Sequence, residues 1–247
     1  MQVALIADIH GNVPALDAVL GELGRNGADR VLCLGDVGYG PQPGETLERL
    51  EALGCPVIMG NWDASFLGRT PSLDGELESI LLALGAWSKE QLSKEHLDYV
   101  RSFRESVEVP LGDGAALLAF HGSPRSYEDA ILATTPDEEL DRMFDGRRAT
   151  VFASAHTHFQ LFRRFEESVV VNPGSVGLPF RRQTEGVMRI APWAEYGVVL
   201  YEQGRLAVEL RRTAYDVDRL IRIIRESGMP NAEWWADLWK PERQAVG

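Results

Sequence analysis

Short apolar runs alternate with segments of helical periodicity through the first sixty residues. Residues 2–8, 30–34 and 56–59 are apolar and β-compatible, a pattern that predicts strands. Between them, apolar positions repeat at helical spacing after Asn12 and from about 45 to 53, and glycines follow where each helix should end. This β-α-β-α-β order predicts parallel strands joined by right-handed crossovers.

The remaining pattern predicts helices first and then many short strands. Residues 76–104 have the periodicity of a helix, with Gly85 as a candidate break, and strands at 115–120 and 150–154 flank a helix at 136–144. Five further strands are predicted at 159–165, 168–172, 186–191, 196–202 and 205–212. Their connections are short, which favours antiparallel pairing.

No repeat, low-complexity tract or long linker divides the chain. We therefore predict one domain over residues 1–247, with a helical insert at about 76–104 and a C-terminal helical tail at about 214–240. The tail carries Trp234, Trp235 and Trp239. We expect these rings to pack back on the domain, and a dimer contact is the alternative.

The composition is that of an ordinary globular chain, with 45% hydrophobic and 25% charged residues. No stretch approaches the roughly 18 apolar residues of a membrane span, and the first residues read as a strand, not as a signal peptide. The formal net charge of −12 argues against nonspecific binding to nucleic acid or anionic membranes. Cys33 and Cys55 lie in apolar surroundings and are expected to be free thiols, so a cytoplasmic location is predicted.

Four of the five histidines, two aspartates and an asparagine occur in short motifs at the ends of predicted strands. In chain order these motifs are Asp8-Ile9-His10, Gly35-Asp36, Gly60-Asn61, His121-Gly122 and His156-Thr157-His158. Histidine is the commonest metal ligand, and carboxylates often bridge two cations. Ligands of parallel sheets gather beyond the carboxyl ends of the strands. The ordered set therefore predicts a two-metal hydrolytic centre.

Each motif has an ordinary explanation when it is taken alone. Asp8 could cap the following helix, Gly35-Asp36 is a common turn dipeptide, and asparagine after glycine is also a turn signal. A lone histidine is usually a core or surface residue. Three histidines at the ends of two strongly apolar strands, with two carboxylates upstream, favour the metal interpretation.

The ordered motifs resemble those of the calcineurin-like metallophosphoesterases over residues 8–158. The segment 172–177, Asn-Pro-Gly-Ser-Val-Gly, and the tail 215–230 are similar to those of small bacterial and archaeal members. The resemblance implies an α/β fold, namely a four-layer α/β/β/α sandwich of two mixed β-sheets flanked by helices. It places the metals at the strand ends.

The resemblance also implies the ligands of two divalent transition-metal ions. One ion would be held by Asp8, His10, Asp36 and His158, and the other by Asp36, Asn61, His121 and His156, with Asp36 bridging. The residues that the resemblance puts forward as catalytic are Asp36, Asn61, His121 and Asp63. Mn²⁺ is the favoured ion, and Fe, Co²⁺, Ni²⁺ or Zn²⁺ are the alternatives. Nitrogen-rich ligation speaks against Mg²⁺ or Ca²⁺ alone.

Two positions depart from the family pattern. Ala155 stands where the family has glycine, and Trp62 stands where it has the histidine that follows Gly-Asn. In the family that histidine, together with the next acid, helps to protonate the leaving oxygen, which Trp62 cannot do. Asp63 keeps the acid, either as a catalytic group or as a turn residue. The loss favours substrates whose leaving groups depart easily.

We therefore predict a phosphoester hydrolase in which a water shared by two cations attacks phosphorus. A phosphodiesterase acting on small phosphodiesters or nucleotides is favoured. A dinucleoside polyphosphate hydrolase, a Ser/Thr-type protein phosphatase and a catalytically weak metal-binding scaffold are the alternatives. Arg125, Arg181 and Arg182 are candidate phosphate contacts, with solvated surface arginines as the alternative. The expected partner is a small phosphorylated substrate, nucleic acid and membranes are disfavoured, and monomer and homo-oligomer stay open.

Overall fold

The structure is a computed structural model that describes residues 1–73, 75–181 and 189–239. Its strands are β1 (Gln2–Ile6), β2 (Arg30–Cys33), β3 (Ser106–Gly112), β4 (Ala115–Phe120), β5 (Val151–Ala153), β6 (Gln160–Phe165), β7 (Ser168–Pro173), β8 (Phe180–Arg181), β9 (Arg189–Ile190), β10 (Trp193–Glu202) and β11 (Arg205–Ala214). Its helices are α1 (Val13–Asn26), α2 (Pro43–Leu53), α3 (Asn61–Phe66), α4 (Glu78–Glu90), α5 (Lys94–Arg101), α6 (Asp137–Phe144), α7 (Val217–Glu226) and α8 (Ala232–Asp237).

The strands form two large mixed sheets and one short ribbon. The first sheet has the order β11-β10-β1-β2, in which β1 and β2 are parallel and the other pairs antiparallel. The second has the order β3-β4-β5-β7-β6, with three parallel central strands and antiparallel edges. β8 and β9 pair as a ribbon. Two large mixed sheets flanked by helices confirm the predicted fold class.

Side chains alternate between the two faces of each sheet and so build separate apolar layers. Leu5 of β1 and Leu117 of β4 belong to the core between the sheets. Ile6 packs in a second cluster with apolar residues of α1 and α2. Phe120 packs in a third cluster with α6 on the far side of the second sheet. The layers are therefore helix, sheet, sheet and helix.

A fourth apolar cluster joins the insert to the C-terminal tail. It contains Leu84 of α4, Leu220 of α7 and Trp235 of α8, together with Tyr39 and Trp62. Trp235 and Trp239 are buried within the chain, as the sequence predicted. In the part of the chain that is described, no helix is long and apolar enough to cross a bilayer.

Two predicted elements differ from those observed. Residues 56–59 form only isolated bridges, from Val57 to Cys33 and from Ile58 to Arg104, because the chain turns into α3 directly afterwards. The insert breaks at residues 91–93, and Gly85 lies inside α4. Ser93 starts the second helix by accepting a hydrogen bond from the backbone N–H of His96 at 3.2 Å.

Three of the strands also differ from the prediction. β3 was not predicted, although Val107, Val109 and Leu111 alternate with exposed residues in the manner of an edge strand. β10 begins at Trp193, three residues before the predicted start. Of the strand predicted at 186–191, residues 186–188 lie outside the described part.

Candidate metal centre

The predicted ligands come from strand ends that meet at one edge of the sandwich. Asp8 and His10 follow β1, Asp36 follows β2, His121 follows β4, His156 and His158 follow β5, and Asn61 opens α3. Six of these side chains are buried and His156 is half-buried. Because β1–β2 and β4–β5 belong to different sheets, the site spans both.

Five of the seven ligand positions have a left-handed backbone. The φ angles are 51° at Asp8, 49° at His10, 55° at Asp36, 68° at His156 and 60° at His158. Residues other than glycine adopt this region in only a few per cent of cases. Backbone hydrogen bonds hold the loops, since Asp8 N–H donates to Gly35 O at 2.9 Å and His10 N–H donates to Asp36 O at 3.0 Å.

The first group of ligand atoms surrounds the ring of His158. Its Nε2 lies 3.1 Å from Nε2 of His10 and 3.5 Å from Oδ1 of Asp8. Its Nδ1 lies 2.8 Å from the carbonyl oxygen of Leu178, which can only accept, so Nδ1 carries the proton and Nε2 presents a lone pair. Asp8, His10 and His158 together have the spacing of a metal site.

The second group surrounds the side-chain oxygen of Asn61. That Oδ1 lies 3.1 Å from Nε2 of His121 and 3.1 Å from Nδ1 of His156. The His121 ring is oriented by its other nitrogen, which lies 2.8 Å from the carbonyl oxygen of Leu34. The two rings thus turn their free nitrogens towards one amide oxygen.

Asp36 lies between the two groups. Its Oδ2 is 3.7 Å from Nε2 of His10 and 3.7 Å from Nε2 of His121, whereas its Oδ1 accepts the backbone N–H of Trp62 at 2.9 Å. Asp8, Asp36 and His121 also have metal-site spacing. One oxygen of Asp36 therefore faces both groups, as a bridging carboxylate requires.

The protonation states of the buried carboxyl and imidazole groups are suited to binding a cation. Burial raises the pKa of Asp36 to about 7, and burial together with the charge of Asp36 raises the pKa of Asp8 well above its ordinary value. Neither oxygen of Asp8 has a hydrogen-bond partner of normal geometry, although the backbone N–H of His156 opposes part of the shift. Burial lowers the pKa of His121 to about 4 and that of His158 to about 3. Neutral imidazoles beside the buried carboxylates of Asp8 and Asp36 fit a transition metal.

Asp63 and Trp62 contact the segments that carry the predicted ligands. The Asp63 carboxylate accepts the backbone N–H groups of Asp36 at 2.7 Å, Val37 at 3.0 Å and Gly60 at 3.2 Å. The ring of Trp62 stacks on Tyr39 at a centroid distance of 3.9 Å. Asp63 thus ties two ligand loops together, and Trp62 is a packing residue.

The segment 172–177 also holds the ligand loops. Ser175 Oγ donates to the carbonyl oxygen of Asp8 at 2.7 Å, and Gly177 N–H donates to the same oxygen at 3.0 Å. Asn172 Nδ2 donates to the carbonyl oxygen of Ala155 at 2.8 Å. These contacts connect the loop after β1 to the loop after β5.

The candidate arginines differ in their surroundings. Arg125 forms an ion pair with Asp129 at 2.8 Å and lines a cavity of about 320 Å³ that also touches Asn61. Arg181 lies with its guanidinium 5.8 Å from the ring centre of Trp193. Arg182 is outside the described residues. Arg125 thus lines a cavity beside the predicted ligand Asn61.

A cavity of about 530 Å³ lies over the predicted ligands and includes residues that sequence reasoning missed. Glu128, Tyr39, Leu77 and Phe180 line it together with His156 and other ligands. Nothing in the local sequence marks Glu128, which reaches the site through the loop after β4. Tyr39 carried a weak signal, as an aromatic residue three positions after Asp36.

A two-sheet sandwich with carboxylates and imidazoles at its strand ends defines a metal-dependent hydrolase. Residues 1–192 match the family model described as the calcineurin-like phosphoesterase superfamily domain. The chain therefore belongs to this family, whose members use divalent metals and act on small phosphorylated substrates, and it is a metal-dependent phosphoesterase.

Relatives of nearly the same length share this architecture. A metallophosphoesterase from Sphaerobacter thermophilus superposes with a TM-score of 0.72 at 27% identity, covering 96% of this chain and 98% of that one. A hypothetical protein from Pyrococcus horikoshii gives a TM-score of 0.74 at 25% identity, covering 93% and 94%. An uncharacterized protein from Methanocaldococcus jannaschii is 28% identical over 244 residues, 94% of each chain.

Proposed function

We propose that the protein is a dinuclear phosphodiesterase that acts on small phosphodiesters or nucleotides. The observation that carries the proposal is the position of Asp36 Oδ2, which is 3.7 Å from both His10 Nε2 and His121 Nε2. A carboxylate oxygen shared by two histidine groups suits two neighbouring cations. Asp8, His10 and His158 would complete one site, and Asn61, His121 and His156 would complete the other.

The donor set favours Mn²⁺, with Fe, Co²⁺, Ni²⁺ and Zn²⁺ as alternatives, because four imidazoles accompany two carboxylates and an amide oxygen. When bound, the ions would lower the pKa of water and withdraw charge from the phosphoryl oxygens. The protein's own contribution is to hold the imidazoles neutral and correctly turned. The carbonyl oxygens of Leu34 and Leu178 orient His121 and His158 for this purpose.

The residues around the ligands favour esters with good leaving groups. Trp62 cannot donate a proton from its stacked ring to a leaving oxygen, and the Asp63 carboxylate already accepts three backbone N–H groups. A phosphate released from an anhydride, or a phenol released from an aryl ester, is a better leaving group than an alkoxide. The alternatives are therefore a dinucleoside polyphosphate hydrolase and, less well supported, a Ser/Thr-type protein phosphatase.

The proposal also includes a cytoplasmic location. Both cysteines are free thiols, with Cys33 buried and Cys55 half-buried, and free thiols suit a reducing compartment. Detection of the protein in fractionated cells of its source would test this point.

Hydrolysis of bis-p-nitrophenyl phosphate with added Mn²⁺, measured alongside metal content, tests the proposed activity. We expect the wild-type protein to turn over the substrate and to bind two ions per chain. His156→Ala should lose turnover and should bind fewer ions. His96→Ala is the matched control, because His96 pairs with Glu48 on α2 and should keep activity. Two bound ions without turnover on any phosphoester would support the scaffold alternative, and a single bound ion would contradict the dinuclear centre.

A further inference from the structure

The cavity over the ligands has a polar floor and an apolar wall. The ligands Asp36, Asn61, His156 and His158 form the floor. The wall is formed by six large apolar side chains: Leu73, Leu77, Leu81, Leu178, Phe180 and Trp235. Leu77 and Leu81 belong to the insert and Leu73 precedes it, while two of the others follow the segment 172–177 and one lies in α8. Elements from distant parts of the chain thus build one apolar surface beside the predicted metals.

The wall carries negative charge but no positive charge within the described residues. The lining there includes Glu128, which accepts the backbone N–H of Ser72 at 2.9 Å, and includes no lysine or arginine. Arg69 and Arg125 line the neighbouring cavity of about 320 Å³, together with Glu105 and Glu128. A substrate with several phosphates needs cationic contacts beyond the metals, and this wall does not supply them.

The volume of about 530 Å³ suits a phosphoryl group that carries one ring-sized substituent, because ligand cavities of roughly 300–1,000 Å³ hold molecules of that size. Aromatic surface is already present at the boundary between floor and wall. The ring of Phe180 stacks on His158 at a centroid distance of 4.4 Å and an angle of 12°. An apolar group on the phosphate would therefore meet Phe180 and the leucines, while the phosphate meets the floor.

We propose that this cavity selects phosphodiesters in which one substituent is uncharged and apolar or aromatic, and that it disfavours polyphosphates. This inference rests on the proposed phosphodiesterase activity and narrows its substrate class. Leu73, Leu77 and Leu81 provide the selectivity, because they add apolar area to the cavity lining and belong to none of the loops that carry the predicted ligands.

Three p-nitrophenyl phosphodiesters with the same leaving group test the inference. Their second substituents are methyl, benzyl and 4-carboxybenzyl, so the series adds first an apolar ring and then one negative charge. We expect kcat/KM with Mn²⁺ to be about tenfold higher for benzyl than for methyl, the usual scale of apolar-pocket discrimination. The 4-carboxybenzyl ester should lose most of that gain, because its charge meets Glu128 and an apolar wall.

Variants of the insert identify the origin of the selectivity. Leu77→Ser should reduce the ratio of the benzyl rate to the methyl rate several-fold, and Leu73→Ser is a second variant in case the first unfolds. Both leucines are half-buried. Leu82→Ser is the control, since Leu82 lies in α4 five residues after Leu77 but is 39% exposed and does not line the cavity.

Equal rates on the three esters, or a preference for the charged ester, would overturn the inference and leave the phosphodiesterase proposal intact. An unchanged benzyl preference in folded Leu77→Ser and Leu73→Ser would overturn it as well. No hydrolysis of any of the esters at saturating metal would overturn the proposed function, and the inference with it.

Discussion

Replacing Gly60 with alanine should disturb the predicted metal centre through a steric clash, and not through unfavourable φ and ψ angles at residue 60. Gly60 has φ −90° and ψ 169°, an extended conformation that alanine adopts freely. A β-carbon at this position would lie 2.1 Å from Oδ1 of Asp36 and 2.4 Å from its backbone nitrogen. The perturbation is therefore steric, and it falls on the carboxylate that faces both ligand groups.

The size of the effect follows from how Asp36 is held. The contact must open from 2.1 Å to at least 3.0 Å, yet Asp36 is fixed by the backbone N–H of Trp62 and by its own N–H to Asp63. Relieving an overpacked contact of this kind costs about 1–3 kcal/mol of stability. Moving a positioned group by about 1 Å costs about 100-fold in rate. We expect Gly60→Ala to fold, with a lower stability and a lower rate of hydrolysis.

Gly24→Ala is the matched control. Gly24 lies in α1, its φ is not positive, and a β-carbon there would meet nothing within 4 Å. Alanine should stabilise the helix by about 1 kcal/mol and leave activity unchanged. Thermal unfolding, Mn²⁺ titration and hydrolysis of bis-p-nitrophenyl phosphate would be measured for both variants. Wild-type metal affinity and activity in Gly60→Ala would refute the tight packing of Gly60 against Asp36.

Three further predictions address the same site. Asp36→Ala should abolish turnover and reduce the number of bound ions measured by elemental analysis; near wild-type activity with metal supplied would contradict the bridging role. Trp62→His should increase the rate of hydrolysis of poorly activated esters. It should also lower the free energy of unfolding by about 2–4 kcal/mol, because the stack on Tyr39 is lost. No increase in rate on such esters would contradict the idea that the missing acid limits their hydrolysis. Metal affinity should rise with pH through about pH 7, because Asp36 has a pKa of about 7 and must lose its proton to bind metal. Calorimetry in buffers of different ionisation enthalpy should detect proton release below pH 7, and a constant affinity between pH 5.5 and 7.5 would exclude this linkage.

The clustering of the candidate ligands could be predicted from the sequence because strand periodicity and polar residues can both be read locally. Asp8 and Asp36 each follow an apolar run, and parallel strands bring such ends together whatever their separation along the chain. His121 and His156 follow apolar runs in the same way, and their strands belong to the second sheet. The fold class and the clustering of ligands were accessible in this way.

What the sequence could not predict depends on contacts between distant segments. The stack of Trp62 on Tyr39 and the approach of Gly85 in α4, where a β-carbon would lie 3.1 Å from the Trp62 ring, exist only once the insert is placed. Arg181 lies over Trp193 because β8 leads into that region, and no local pattern distinguishes it from a phosphate contact. Residues 56–59 have strand composition, but the turn into α3 limits them to bridges.

The segment 172–177 helps to maintain the left-handed backbone at the predicted ligand positions. Conformations of this kind cost on the order of 1–3 kcal/mol each and persist where the surrounding structure determines them. Here Ser175 and Gly177 both donate to the carbonyl oxygen of Asp8, and Asn172 donates to that of Ala155, just before His156. None of the three is a predicted ligand, yet they connect the β1 and β5 loops from opposite sheets. Hydrogen bonds to the backbone carbonyls of both loops thus help to maintain these unfavourable conformations, and the fold itself holds the predicted ligands close together.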